Sequence, residues 1–266
     1  MSQAVALGVI GGGVMAEAIV SCLLAQKVYQ AETVLIGEPQ SQRREYWQKK
    51  YGVAVTADNN QVMQAETVLL AVKPQILDKV VATLKWEANP LVLSILAGVT
   101  LEKLELAFPH CPVVRVMPNT PATVGAAMSA ISPSSQVTET QLAIAHKIFA
   151  AVGEVVTVPE YQMDAVTGLS GSGPAYVALM VEALADGGVA AGLPRAISQK
   201  LAIQTVLGTA QLLKETELHP AVLKNRVSSP GGTTIAGVSA LEKAGFRSAA
   251  INAVQAAYQR SKELGE

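Results

Sequence analysis

The sequence is poor in aromatic side chains: three Phe, two Trp and six Tyr, 4% of 266 residues. Stacking platforms for single-stranded nucleic acid need more of them, interleaved with basic residues. It is also poor in charge, at 15%, and its 20 basic and 21 acidic residues leave a net charge of −1. No block of like charge stands out, which argues against a nucleic-acid backbone or an anionic membrane surface as partner. The two cysteines, Cys22 and Cys111, sit among apolar neighbours and form no C-x-x-C pair. They read as buried thiols of a reducing compartment and suggest no metal. His110, His146 and His219 fit no metal spacing, and His146 reads as a surface residue of a helix. The most apolar stretch, residues 173–193, is broken by Glu182, Asp186 and a Gly pair, short of the roughly 18–20 apolar residues of a membrane span. The first basic residue is Lys27, so the N-terminus lacks the charged segment of a secretion signal. The expectation is a cytoplasmic protein that binds neither membrane nor nucleic acid.

What the chain does have is apolar residues, half of the total, and length for roughly two domains at about 150 residues each. From residue 4 to 158, short β-branched runs alternate with helix-period stretches. Strands are expected at 5–10, 33–36, 53–55, 67–72, 91–95, 113–117, 126–131 and 155–158, and helices at 14–26, 41–50, 75–85 and 139–150. Runs 67–72 and 91–95 are continuously apolar, as in strands covered on both faces of a parallel sheet. After Glu160 the strand signal stops. Helices are expected at about 161–168, 174–191, 195–214, 219–227, 233–244 and 247–264. Several are apolar on more than one face and need cover on every side, for which a partner subunit is the expected source. The predicted fold is α/β: an N-terminal Rossmann-type doubly wound sheet (1–160), then an all-α C-terminal domain for substrate binding and dimerisation (161–266).

The first expected strand leads into Gly11-Gly12-Gly13-Val14-Met15-Ala16, a G-x-G-x-x-A turn opening a helix. Gly11 permits the tight turn, Gly13 lets the backbone approach a pyrophosphate, and Ala16 allows close packing of helix on strand. The helix N-terminus offers N–H groups and a partial positive charge to the phosphates. Coenzyme choice should be set after the second strand, where Glu38 argues for NAD and Ser41, Arg43 and Arg44 argue for NADP; the residues leave both open. Lys73-Pro74 and Pro118-Asn119-Thr120-Pro121 follow expected strands and read as walls of the cofactor site.

In the helical half, Ser228-Ser229-Pro230-Gly231-Gly232-Thr233-Thr234 lies between two helices. Its glycines let backbone N–H groups converge and its hydroxyls add donors, an arrangement that suits a small carboxylate. Gly168-Leu-Ser-Gly-Ser-Gly-Pro174 is similar in composition and reads as a helix junction or a second wall. It is one residue out of register with G-x-S-x-G and has no strand–elbow–helix context, so a hydrolase is not expected.

These motifs closely resemble those of the pyrroline-5-carboxylate reductase family over nearly the whole chain. The resemblance rests on Arg226 to Gly237 (RVSSPGGTTIAG), Ala71-Val-Lys-Pro74, Ala97-Gly-Val-Thr100, Met117-Pro-Asn-Thr-Pro121 and Gly168 to Tyr176. Val14 departs from it, standing where the family usually has Asn. The resemblance implies reduction of 1-pyrroline-5-carboxylate to L-proline with NADPH or NADH, by a homodimer often assembled into a decamer. It places Val14, Met15, Ala71, Val72, Ala97, Gly98 and Asn119 with the cofactor, and Glu217 with the substrate. The substrate carboxylate is then expected on the N–H groups of Ser229, Gly232 and Thr233, beside Gly231, with Thr234 as donor to the imine nitrogen. Two other readings remain. A hydroxyacid dehydrogenase would need a catalytic Lys, and Lys200, Lys214 and Lys224 sit in no glycine-rich motif. A nucleotide-binding protein without turnover would not need the loop at 228–234.

Overall fold

A computed structural model describes residues 4–85 and 87–265. Eight strands form one sheet: β1 (Leu7–Ile10), β2 (Val34–Gly37), β3 (Ala54–Thr56), β4 (Thr67–Leu70), β5 (Leu91–Ser94), β6 (Val113–Met117), β7 (Ala127–Pro133) and β8 (Gly153–Thr157). Their order is β3-β2-β1-β4-β5-β6-β7-β8. Neighbours among β1 to β6 are parallel, with order inverting between β1 and β4. Strand β7 departs from the expected parallel sheet: it runs antiparallel to β6 and parallel to β8. The link from Met117 to Ala127 holds only a 3-10 turn at Thr120–Val124, too short for the crossover that a parallel pair requires.

The apolar runs are continuous because successive residues serve different cores. Leu69 packs with Leu7, Val9, Ile19, Leu23, Trp47 and Phe149 on one face. Val68 and Leu70 pack with Ile10, Val92, Leu104 and Phe108 on the other. The helices covering these faces are α1 (Val14–Ala25), α2 (Ser41–Tyr51), α3 (Asn59–Val62), α4 (Leu77–Val81), α5 (Leu101–Ala107), α6 (Glu139–Ala150) and α7 (Met163–Val166). A reciprocal pair between Thr138 and Gln141 caps α6. The helix expected over 75–85 is shorter. Pro74–Ile76 is a 3-10 turn, α4 stops at Val81, and the Asn60 amide then binds Thr83 O and the Lys85 N–H, drawing the chain away. Helices α3 and α5 had no expectation, although Asp58 and Thr100 cap them.

The chain packs as two compact units, one running through Ser172 and resuming at Ala256, the other Gly173–Gln255. The second unit holds α8 (Gly173–Ala190), α9 (Arg195–Thr216), α10 (Pro220–Arg226), α11 (Thr233–Lys243) and the first half of α12 (Phe246–Gly265). Helices α8 and α9 approach closely at Gly188, where a Cβ would lie 2.0 Å from Ser198 Oγ. Leu179, Ile197, Leu201, Leu207, Val227 and Ile251 of this unit are exposed. Among the described residues, no helix is long and apolar enough to cross a membrane.

Candidate functional site

Strand β1 ends at the glycine turn. Gly11 has φ +100, and a Cβ there would lie 2.9 Å from Ala71 O, so only glycine fits without strain. Gly13 precedes α1 with no side-chain cap, and the first N–H to turn inward is that of Glu17, to Gly13 O at 2.9 Å. The N–H groups of Val14, Met15 and Ala16 therefore have no partner within the helix. A Cβ built on Gly13 meets nothing within 4 Å, and Ala16 is fully buried. An open backbone cradle at an uncapped helix N-terminus fits a pyrophosphate. Val14 projects outward, 75% exposed, and leaves the turn intact.

The middle glycine is held from three sides. Gly12 N–H donates to Glu38 Oε2 (3.1 Å), and its carbonyl accepts from Arg43 Nε (2.7 Å) and Trp47 Nε1 (3.1 Å). Trp47 is fully buried. The other Glu38 oxygen accepts the Gln40 N–H at 3.0 Å. Arg43 also reaches Glu17 Oε2 at 2.5 Å, and Glu17 Oε1 accepts from Tyr46 (2.5 Å), Tyr51 (2.8 Å) and Lys50 (3.0 Å). Burial of Glu17 opposes its ionisation, but the bonds from Tyr46, Lys50, Arg43 and Tyr51 outweigh it and lower its pKa to about 2. The Arg43 guanidinium, expected near a 2′-phosphate, joins α2 to α1 and to the turn through Nε and Nη2. Arg44 Nη1 donates to Glu38 O (2.8 Å) and Pro39 O (2.7 Å), and Ser41 is exposed at the start of α2.

Beside the turn lies a cavity of about 270 Å³. It is lined by Met15, by Ala71, Val72, Ile95 and Ala97 after β4 and β5, by Met117, Pro118, Asn119 and Thr120 at the end of β6, and by Gly171. These elements meet at the carboxyl ends of parallel strands, where ligands bind in such sheets. Lys73 and Pro74 do not line it; Lys73 is exposed and precedes the 3-10 turn that Pro74 opens. Gly98, at φ +73, also lies outside it, with Leu264 Cβ 3.2 Å from where its own Cβ would be. Asn119 is a wall rather than a free donor. Its Nδ2 donates to Ser170 O (3.1 Å) and its Oδ1 accepts the Met128 N–H (2.9 Å).

The glycine-rich 168–174 segment forms a π-helix, Thr167–Gly171, continuous with α7. The wider π turn offers Ser170 O to Asn119 and brings Gly171 to the cavity, where a Cβ would lie 2.5 Å from Met117 Cε. Below the cavity strand, Arg115 is buried in β6 and paired with Glu160, whose Oε1 also accepts the Leu101 N–H at 2.9 Å. Its Nη2 lies 4.0 Å from Asp164 Oδ1, which accepts Ser261 Oγ–H at 2.7 Å. A lone arginine in an apolar strand gave no signal that it would anchor two carboxylates. Cys111 is buried, which pushes its thiol up to about 11 and keeps it unreactive. His146 is half-buried, with Nε2 2.9 Å from Thr157 Oγ1.

In the second unit the 228–234 loop folds tightly. Gly231 has φ +65, and the Gly232 N–H donates to Ser229 O at 3.1 Å. That N–H, expected to help hold a carboxylate, closes the turn onto Ser229. Helix α11 begins at Thr233 with Gly232 as N-cap and no side-chain cap, so Thr233, Thr234 and Ile235 present the N–H groups free of intrahelical bonds. Ser229, Gly231 and Thr233 are exposed, and Thr234 is half-buried. Glu217 ends α9 at φ +51, a strained conformation for a non-glycine residue, with an exposed side chain. His219 caps α10 through Nδ1, which accepts the Ala221 N–H at 3.2 Å.

Residues 160–264 match the family profile described as pyrroline-5-carboxylate reductase dimerisation, and residues 6–98 match that of coenzyme F420-dependent NADP oxidoreductases. A pyrroline-5-carboxylate reductase of Synechocystis sp. is 63% identical, covering 99% of this chain and all of that one. One of Arabidopsis thaliana is 45% identical, covering 98% and 95%. The solved structure of the Coxiella burnetii pyrroline-5-carboxylate reductase superimposes with TM-score 0.92 at 36% identity, covering 99% and 100%. A Plasmodium falciparum pyrroline carboxylate reductase with NADP bound gives 0.86 at 30% identity, with both chains fully covered.

Proposed function

Because the chain belongs to the pyrroline-5-carboxylate reductase family, we propose that it reduces 1-pyrroline-5-carboxylate to L-proline with NAD(P)H, the last step of proline biosynthesis. The observation that carries this reading is the cavity of about 270 Å³ beside the uncapped start of α1. The cofactor would be held by the turn Gly11, Gly13, Val14 and Met15, with Ala71, Val72 and Ala97 along the cavity. When bound, the nicotinamide supplies a hydride to the imine carbon. The chain's own part is to bind, orient and donate. Asn119, by holding the π turn, fixes the width of the cavity. Thr233 and its neighbours at the start of α11 supply N–H groups for the substrate carboxylate, and the Ser229 hydroxyl adds a donor. The Thr234 hydroxyl, one residue on, is assigned as hydrogen-bond donor to the imine nitrogen, where electron density rises in the transition state. Glu217 lies on the same helical unit and belongs to the substrate side.

A homodimer through residues 161–266 is the proposed working form, supported by the exposed Leu179, Ile197, Leu201 and Leu207. Its further assembly into a decamer and its residence in the cytoplasm are part of the same reading. The test is NAD(P)H oxidation with 1-pyrroline-5-carboxylate. Thr234→Ala should lower kcat by roughly 10²-fold with a smaller rise in KM, and Thr234→Ser should recover most of the rate. A normal kcat in the Ala variant removes Thr234 from the mechanism.

A further inference from the structure

The end of β2 carries a fixed negative charge. Glu38 is nine-tenths buried, and each carboxylate oxygen accepts a backbone N–H, Oε2 from Gly12 and Oε1 from Gln40. Two such bonds from separate segments prevent the carboxylate from turning away. Each oxygen retains a lone pair for another donor. In a doubly wound sheet this is where the adenosine ribose of a dinucleotide lies, one strand over from the glycine turn. A ribose 2′-OH is a neutral donor and suits such an acceptor. A 2′-phosphate, with a charge near −2 (about −1.5 to −2 at neutral pH), meets like charge there.

The cations nearby are engaged. Arg43 lies between Gly12 O and Glu17, and Lys50 also pairs with Glu17. Arg44 turns Nη1 onto the carbonyls of Glu38 and Pro39. Ser41 brings a hydroxyl and no charge. We infer that Glu38 is the residue that sets coenzyme choice in this chain, and that it selects NADH over NADPH. The inference rests on the proposed reductase reading only for the identity of the cofactor class, and binding alone tests it.

The experiment is a fluorescence titration of the purified protein with NADH and with NADPH, together with Glu38→Gln, Glu38→Ser and Arg44→Ala. The wild type should bind NADH at least about 10-fold more tightly, a modest share of the cost of placing like charges together. Both Glu38 variants should bring the ratio towards one, chiefly by tightening NADPH. Arg44→Ala should change both affinities by the same factor. A wild type that binds NADPH equally or better overturns the inference, as does an unchanged ratio in either folded Glu38 variant. Loss of NADPH affinity alone in Arg44→Ala would transfer the discrimination to Arg44 and overturn it as well. Failure of turnover with 1-pyrroline-5-carboxylate while the binding ratio holds would strike the proposed reaction and leave this assignment standing; no binding of either nucleotide would overturn both.

Discussion

Trp47→Phe tests whether α2 holds the nucleotide turn or merely packs beneath it. The indole is fully buried and its Nε1 donates to Gly12 O at 3.1 Å. Phenylalanine keeps most of the apolar contact and removes the donor. Gly12 O retains Arg43 Nε at 2.7 Å, so the lost bond costs about 0.5–1.5 kcal/mol rather than a full desolvation penalty. The missing ring leaves a small void against Ile36 and the sheet, worth about 1–2 kcal/mol. The sum, about 1.5–3.5 kcal/mol, lowers Tm by about 3–14 °C for a unit of this size. A turn freed on one side spends less of its time in the binding shape, so NADH and NADPH should both weaken, by about 3–10-fold. Differential scanning calorimetry and nucleotide titration on the same sample give both numbers. A fall in Tm with unchanged affinities would reduce Trp47 to a core residue and refute the positioning argument.

Arg115→Met should destabilise by about 3–5 kcal/mol in urea unfolding, because it strands Glu160 and Asp164 without their shared cation; adding Glu160→Gln should restore part of the loss. The depressed pKa of Glu17, about 2 against 4.5 for the free side chain, contributes stability that is present above pH 4.5 and is lost as pH falls towards 2. Glu17→Gln should therefore flatten the loss of stability between those values, seen as the difference in urea midpoint at pH 6 and pH 3.

The strands were legible because burial on both faces makes a sequence continuously apolar, as at Leu69 between Val68 and Leu70. The glycine turn was legible because its chemistry is local, carried by Gly11 to Ala16. What escaped was set by distance along the chain. Nothing near Arg43 in the sequence announces that Glu17, 26 residues earlier, will take one end of its guanidinium. The 168–174 segment reads as a helix junction or a second wall, and Gly171 does line the cavity, but nothing local announces that Asn119 will take the Ser170 carbonyl, 51 residues away. The return of β7 was hidden because run 126–131 is as apolar as its parallel neighbours. The direction of a strand is decided by the length of the link before it. The loop at 228–234 was found from its composition. Which of its N–H groups closes the turn on Ser229 depended on backbone angles that no residue type reveals.

The helix that starts at Phe246 finishes in the first compact unit, with Leu264 against Gly98 and Ser261 on Asp164. A ribosome emits these residues well after the eight strands, which are free to pair as they emerge. Yet the loop at 97–100 waits uncovered, and Asp164 waits for its hydroxyl, until the final turns arrive. The first unit is thus begun early and sealed late. A nascent chain arrested near residue 255 should carry a formed sheet with an unlatched edge, more open to protease at 97–100 than the finished protein.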